Sequence, residues 1–482
     1  MKKSLRLIFA VIALVLIAFS WWGVRLVQTS LVVRQMERQQ MPLLYVAPKN
    51  ARNLPGVLIA HGYAGSKQLM LGYAYTLAHA GYATILWDFD SHAANTKPLE
   101  KNSLQQNLNL AYTVLVEQPE VDKSRLATLG HSMGSGAVMS AAINQVERYA
   151  ATVAISPTGA SITANVPRNL LLQAGSWENR FVANAKRLLQ AGSGENDNFA
   201  QGIARKFVII PNAEHITILF RHLSHQAARD WLNSTFGINN QSNYVDYRML
   251  WYFLHLLAWL TLLAAIAPVL ADSSITHKTG QLKSWIGLLI APFVATGTLM
   301  SINQVGDIHA LGGILVGGAV STWFGVAGLS WLIFMTPLQL PSARALVIGI
   351  TLFIILSIGF GAMAQVVWLQ WWLVGPRLQI FPLLAVACFP WFLASGMAQQ
   401  NLSFGQRTLW WLGQSTVLIA GFILVLYFLP QLSFIYLLLP LFPVFMAIFS
   451  FCSGLLNNPW SYAIGSTLFF GWVLASAFPL SN

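Results

Sequence analysis

From Arg248 to Asn482 the chain holds only six Lys or Arg and two Asp or Glu. Soluble proteins carry about 25% charged residues, so eight charges over a stretch this long cannot cover a surface that faces water. The stretch instead reads as a series of apolar runs about 20 residues long, the length that crosses a hydrocarbon core of about 30 Å. Such runs begin near Met249, Ser284, Ile308, Arg344, Leu378, Arg407, Leu432 and Pro459, which predicts about eight transmembrane helices. The run Ile308–Leu338 is long and carries Gly312, Gly313, Gly317 and Gly318, a pattern suited to a tilted span plus a re-entrant piece.

The preceding region is built for a different solvent. Leu31 to Tyr247 contains 18 Lys or Arg and 14 Asp or Glu, an ordinary density for a water-soluble domain. Before it, Leu7–Val24 is an apolar run behind Lys2, Lys3 and Arg6, the layout of a signal peptide or an uncleaved signal anchor. Ala18-Phe19-Ser20 is a weak cleavage sequence with bulky Trp21 and Trp22 after it, which favours an anchor. The expected organisation is an anchor at 1–28, a soluble domain at 29–240 and a membrane domain at 241–482. With the N-terminus cytoplasmic, the inner segments hold Lys2, Lys3, Arg6, Lys278, Lys283, Arg344 and Arg407, while the outer short loops hold only Arg377. Arg25, Arg34, Arg38 and Arg248 run against this bias, but long translocated domains follow it poorly. The soluble domain is therefore expected on the extracytoplasmic side of a multi-pass membrane protein.

The net charge of +12 does not signal nucleic-acid binding. Several of the positives flank apolar runs, and no basic run with interleaved aromatics is present. The two cysteines, Cys388 and Cys452, both fall inside apolar runs, so the soluble domain has neither a disulfide nor a cysteine nucleophile.

Within the soluble domain short apolar runs alternate with helical stretches. Strands are predicted at 57–60, 83–87, 125–129, 151–156, 170–172 and 206–210, and helices over 67–80, 101–117, 132–145, 179–189 and up to about 233. This alternation predicts an α/β fold with a doubly wound, mainly parallel sheet. At one strand-to-helix turn stands Gly130-His131-Ser132-Met133-Gly134, a G-x-S-x-G sequence. Glycines there let the chain turn sharply and present the Ser132 hydroxyl at a helix N-terminus. A serine becomes a nucleophile only beside a base, which in turn needs an orienting carboxylate.

Here the chain resembles the α/β-hydrolase superfamily over roughly Pro42–Asn233, a little under half its length. Beyond the serine turn, Gly175-Ser176-Trp177-Glu178 resembles the family's loop for the triad acid, and Pro211-Asn212-Ala213-Glu214-His215 its histidine loop. The resemblance implies Ser132 as nucleophile, His215 as general base and Glu178 as the acid. His61-Gly62-Tyr63-Ala64-Gly65-Ser66 resembles the family's H-G-x-x-G loop. It implies the Tyr63 and Met133 N–H groups as oxyanion donors, with His61 structural. After Trp87 the chain reads Asp88-Phe89-Asp90-Ser91-His92, without the glycine-arginine turn of many relatives.

Rival readings remain for several residues. Glu195 and Asp197 are alternative acids in a polar loop, better read as a solvated turn. Asp88, Asp90 and His92 have a spacing that could suit a metal, though loop hydrogen bonding explains them more simply, and no cofactor or metal is expected. Glu214, His222 and His225 read as surface or packing residues, and His255 as a packed histidine. Asn303, Gln304, Asp307 and His309 form the densest polar cluster of the apolar region, most simply an interfacial loop. About a dozen residues separate Ser156 from Leu170, too few for the large cap many relatives insert there. The expected function is a membrane-anchored serine hydrolase cleaving carboxylic esters, lipid-like ones included, through an acyl-enzyme. An acyltransferase on the same triad, a peptidase, and a transport or scaffold protein with an accessory hydrolase domain are the alternatives.

Overall fold

The computed structural model describes residues 3–239, 242–270, 281–336 and 339–481. Lys2, Lys278, the end of the Ile308–Leu338 run and the expected boundary at 240–241 lie outside the described residues. The chain divides into two compact units. One contains Phe19–Phe253 with Ala364–Gln370, and the other Met1–Ala18, Leu254–Met363 and Trp371–Asn482.

The first unit is an α/β sheet of eight strands: β1 (Leu31–Arg38), β2 (Met41–Pro48), β3 (Leu54–Ala60), β4 (Ala83–Trp87), β5 (Val121–His131), β6 (Ala151–Ile155), β7 (Leu170–Gly175) and β8 (Arg205–Ile210). Their order is β1-β2-β4-β3-β5-β6-β7-β8. β3 to β8 pair in parallel, while β2 runs antiparallel to both β1 and β4. The six expected strands correspond to β3–β8. The sequence reading did not place the β1–β2 hairpin, whose turn residues Gln39 and Gln40 both take positive φ, at 50° and 63°. Such two-residue turns normally announce themselves with Asn-Gly or Gly-Gly, and Gln-Gln gives no such signal.

Period-2 alternation divides the strand side chains between two cores. Val57, Ile59, Ala127, Leu129 and Val153 face one side, packed with α2 (Leu71–His79) and α6 (His222–Phe236) through residues such as Leu77, Ala228 and Leu232. Leu58, Ala60 and Leu126 face the other, against α3 (Ser103–Val116) and α4 (Met133–Asn144) through Leu108, Leu115 and Val138. Strands buried on both faces explain the near-continuous apolar runs of β3, β4 and β6. α5 (Asn179–Ala191) is a further helix of this unit, while α1 (Lys3–Leu26) runs from the other unit into it. Residues 156–169, between β6 and β7, hold no helix.

Three charges that the sequence placed on the flanks of the soluble domain are paired. Arg34 bonds Glu120 and Arg38 bonds Glu117. Arg248, 3% exposed, grips Asp246 through Nε at 2.8 Å and Nη2 at 2.6 Å.

The second unit is helical. Among the described residues of the whole chain, six helices are long and apolar enough to cross a membrane. The count is seven if the bent pair Pro430–Leu438 and Phe442–Leu456 is one span. Helices begin at or near all eight expected positions. Gly317–Leu332, of 16 residues, follows a one-turn segment Ile308–Gly313 that breaks at Leu311 and Gly312. Small residues permit close helix packing. A Cβ on Gly328 would lie 2.0 Å from the Trp391 nitrogen, and one on Gly471 would lie 2.8 Å from the Ala385 Cα. Arg377, expected in a short loop, is buried and donates to the carbonyls of Ala475 and Phe478 at 2.6 Å each, at the C-terminus of Pro459–Ala477. In the polar cluster, Asn303 accepts from Gln431 and the Asp307 carboxylate caps the His309 N–H. His255 is buried beside Trp259.

Candidate active site

The C-terminal ends of parallel strands form a crevice edge where backbone groups and loop side chains converge. Six loops leave the sheet there, after β3 to β8, and those after β3, β5, β7 and β8 carry the residues of the expected site. The loop after β5 is the sharpest. Ser132 sits between β5 and α4 with φ 51° and ψ −119°, a region costing about 1–3 kcal/mol for a residue with a side chain. Its flanking glycines are required by space. A Cβ on Gly130 would lie 2.3 Å from the Gly134 oxygen, and one on Gly134 would lie 2.4 Å from the His61 oxygen. The Ser132 N–H donates to Ile155 O at 2.9 Å, and the Ser132 carbonyl accepts from Ser135 Oγ at 2.6 Å. The strained turn is thus held from both sides.

The structure brings Ser132, His215 and Glu178 into one hydrogen-bonded chain. Ser132 Oγ lies 3.0 Å from His215 Nε2, and His215 Nδ1 lies 2.6 Å from Glu178 Oε1. The carboxylate fixes the tautomer. Nδ1 carries the proton toward Glu178, leaving Nε2 to accept from the serine hydroxyl. All three residues are buried to 9% exposure or less, and Phe181 of α5 stacks on the His215 ring at 4.4 Å.

The acid and histidine loops are zipped together. The second carboxylate oxygen of Glu178 accepts from Gly175 N at 2.6 Å and from Ser156 Oγ at 2.9 Å. Trp177 N donates to Ala213 O at 3.0 Å, and Asn212 N donates to Ser176 Oγ at 2.9 Å. A side chain at Gly175 would lie 2.3 Å from Ala213 O, so this approach also demands glycine.

Two residues of this site escaped the sequence reading as functional supports. Ser156, at positive φ directly after β6, orients the acid. His131, the variable residue of the G-x-S-x-G turn, donates from Nε2 to the His215 carbonyl at 2.9 Å and packs against the His215 ring at 4.7 Å. Burial pushes the His131 pKa well below the usual range, and the neighbouring His215 adds to this. It stays a neutral donor at physiological pH. The position of Ser156 at a strand's C-terminal end was the only available signal; for His131 there was none.

The loop after β3 passes against the serine turn. A Cβ on Gly62 would lie 3.1 Å from Ser132 Cβ and 2.8 Å from His131 Nδ1. Gly65 N donates to Gly62 O at 3.1 Å, and Ala64 takes a φ of 54°. These values describe a tight turn that holds Gly62 against the serine turn, with Tyr63 next in the chain, while Met133 opens α4 directly after the serine. His61 accepts from Phe89 N at Nε2, 3.0 Å, so its Nδ1 proton is donated to Gly62 O at 2.7 Å. Burial lowers the His61 pKa, with the Asp88 charge opposing.

The rival residues lie in other settings. Glu195 accepts from the Phe207 N–H at 3.1 Å on β8, and Asp197 belongs to the same outer loop. Asp88 accepts from Lys67 N at 2.8 Å and pairs with the Lys67 ammonium. Asp90 Oδ1 accepts from the side-chain amides of Asn95 and Asn107, each at 3.0 Å. These carboxylates are therefore spent on loop bonds. Among the described residues no group of three or more His, Cys, Asp or Glu could hold a metal. Glu214 accepts from Ile216 N and Thr217 N, closing the turn after the base. His225 is buried and bonded to Leu219 O, and His222 is exposed.

Residues 53–230 match the family described as serine aminopeptidase, S33, a hydrolase family. No curated protein matches the chain. Similar solved structures include a fungal esterase from Rhizomucor miehei, 14% identical, covering 45% of this chain and 90% of that one with a TM-score of 0.34. A hormone-sensitive lipase from a metagenome library is also 14% identical, over 49% and 99% of the two chains, with a TM-score of 0.35. An S-formylglutathione hydrolase from Staphylococcus aureus is 13% identical over 42% and 98%, with a TM-score of 0.34. The family match over residues 53–230 and the parallel sheet support an α/β-hydrolase-like fold for this part of the chain.

Proposed function

We propose that the protein is a membrane-anchored serine hydrolase that cleaves carboxylic esters through an acyl-enzyme on Ser132. The hydrogen-bonded chain from Ser132 through His215 to Glu178, on a strained turn at the C-terminal end of the sheet, carries this reading. His215 Nε2 takes the hydroxyl proton as Ser132 Oγ attacks the ester carbonyl. Negative charge then develops on the carbonyl oxygen, where the Tyr63 and Met133 N–H groups donate to it. The imidazolium returns the proton to the departing alcohol, leaving an acyl-serine. A water molecule, deprotonated by His215 in the same way, attacks the acyl-serine and releases the acid. Glu178 holds the ring orientation throughout and stabilises its charged form. Ser156 and Gly175 N keep that carboxylate in place.

The six or seven apolar helices support attachment to a bilayer. Discounting Arg34, Arg38 and Arg248 as topology signals is supported by their carboxylate partners, and the remaining bias favours an extracytoplasmic hydrolase domain. The helix-free segment 156–169 favours an open site and long acyl chains presented by a lipid phase, since each buried methylene adds about 0.8 kcal/mol. A series of p-nitrophenyl esters in detergent micelles tests this, with kcat/KM rising from acetate to decanoate. Acid quenching during turnover should leave the acyl mass on the peptide containing Ser132. Steady turnover with no such adduct would remove the acyl-enzyme reading.

The match to a serine aminopeptidase family favours a second reading, in which the acyl group is an amino acid or peptide. Aminoacyl p-nitroanilides assayed beside the esters decide between them. Because an ester is intrinsically far more reactive than an anilide, aminoacyl p-nitrophenyl esters with the same leaving group are included, and faster turnover of these than of the fatty-acyl esters favours the peptide reading.

A further inference from the structure

The loop that carries the Tyr63 N–H is tied down at three places, by residues from different parts of the chain. At its start the His61 ring accepts from Phe89 N. At its end Lys67 binds Asp88 through both its backbone N–H and its ammonium. One residue further on, Gln68 Nε2 donates to Gln370 Oε1 at 2.7 Å, across 302 positions of sequence. Gln370 ends the short segment Ala364–Gln370, which the chain contributes to the α/β unit between two stretches of the helical unit.

That segment is itself fixed within the α/β unit. Arg248, locked onto Asp246, donates from Nη1 to Val367 O at 3.3 Å and reaches Val366 O at 3.5 Å. These carbonyls close the helix Met363–Val367, where a cation complements the helix C-terminus. Trp368 packs edge-on to Tyr252 at 6.3 Å. Gln365 Nε2 also donates to Gln370 Oε1, at 3.1 Å. Both Gln68 and Gln370 are buried, at 6% and 8% exposure. A buried amide deprived of its partner is costly, so this pair specifies where the end of the loop sits. An oxyanion donor needs its place held to about 0.5 Å, and Gln68, in the short helix Lys67–Met70, follows Tyr63 by five residues.

We propose that Ala364–Gln370 is a strap that positions the oxyanion loop, with Gln370 as its positioning residue acting through Gln68. Turnover at Ser132 then depends on a residue that the sequence supplies from among the apolar helices. The proposal rests on the reading of Tyr63 N–H as an oxyanion donor.

The test uses the full-length protein in detergent micelles, with p-nitrophenyl butyrate as substrate and a fluorophosphonate as single-turnover probe. Gln370→Met keeps the volume and removes the acceptor. It should lower kcat about tenfold, a fraction of the hundredfold or more that losing an oxyanion donor costs, with KM within about twofold. The labelling rate should fall in parallel, because phosphonylation places charge on the same oxygen. Gln370→Glu retains the acceptor and should restore kcat to within about threefold of wild type. Gln68→Met should match Gln370→Met and reads the same bond if that variant fails to fold. The double variant should be no slower than either single one. Wild-type kcat in Gln370→Met, an effect on KM alone, or multiplicative losses in the double variant would overturn the strap. If Ser132→Ala is inactive while Gln370→Met turns over normally, the strap alone fails. Turnover that survives Ser132→Ala removes the hydrolase reading and the strap with it.

Discussion

The two units solve the same problem, burying backbone and polar groups, with opposite means. In the α/β unit, ionisable side chains are numerous and almost every one near the site has a specific partner. Examples are Glu178 with His215, Asp88 with Lys67 and Asp246 with Arg248. In the helical unit, close packing over glycine and stacked aromatics replaces most of the charge, and buried Arg377 donates to the main-chain carbonyls of Ala475 and Phe478. The difference teaches where chemistry can reside. The hydrogen-bonded chain Ser132–His215–Glu178 needs rigid polar support, and the loops at the C-terminal edge of the sheet supply it.

The comparison predicts that damage to catalysis is confined to the α/β unit and is largest at the C-terminal edge of its sheet. Ser132→Ala should lower kcat/KM by about 10⁴-fold or more, the scale seen when a triad member is removed. Circular dichroism should remain that of wild type. A comparable loss from substituting Asp307 or His309 in the helical unit would break the contrast.

Glu178→Gln should cost about 10⁴-fold through loss of the correct histidine tautomer. Glu195→Gln should leave kcat within about twofold, because Glu195 is bound to the Phe207 N–H on β8 rather than to His215. The reverse ranking would move the acid to the outer loop. Gly134→Ala should destabilise the α/β unit by about 1–3 kcal/mol, since the new Cβ meets two backbone oxygens. Denaturant unfolding followed by hydrogen exchange of β5 measures this.

A smaller effect follows from pH. Burial lowers the pKa of His61, His131 and His225 in the folded state. Below about 6.5 the unfolded chain takes up protons that the folded chain refuses, so stability is fully present above that pH and falls as pH drops below it. Each histidine contributes at most about 1.4 kcal/mol per pH unit. Hydrogen exchange at pH 7 and pH 5 should show the α/β unit losing protection, and His131→Asn should flatten the change. Least of all, Arg34→Gln should alter stability by about 0–1 kcal/mol, because its pair with Glu120 is partly exposed. It should also leave membrane orientation unchanged in a protease-accessibility assay.

Much of the α/β unit was legible because its signals are local. Buried parallel strands read as short apolar runs, and G-x-S-x-G and Gly175-x-x-Glu178 carry the tight turns that bring the loops to Ser132. The β1–β2 hairpin was not legible, since Gln39 and Gln40 hide a positive-φ turn behind ordinary residues. Arg34, Arg38 and Arg248 read as flanking charges because their partners, Glu120, Glu117 and Asp246, declare themselves only in three dimensions. Ser156 and His131 act on Glu178 and His215 through single hydrogen bonds that no spacing encodes. The segment Ala364–Gln370 lies inside what the sequence presents as one apolar region, so its membership of the α/β unit could not be read from hydropathy.

The central claim is that Ser132, activated by His215, is a nucleophile. Fluorophosphonate labelling of the full-length protein, compared with Ser132→Ala and His215→Ala, tests it most directly. The account predicts stoichiometric labelling of the wild type, none of Ser132→Ala, and labelling of His215→Ala slowed by about a thousandfold or more. A wild-type protein that stays unlabelled while folded, or a Ser132→Ala protein that labels as fast as wild type, would contradict it.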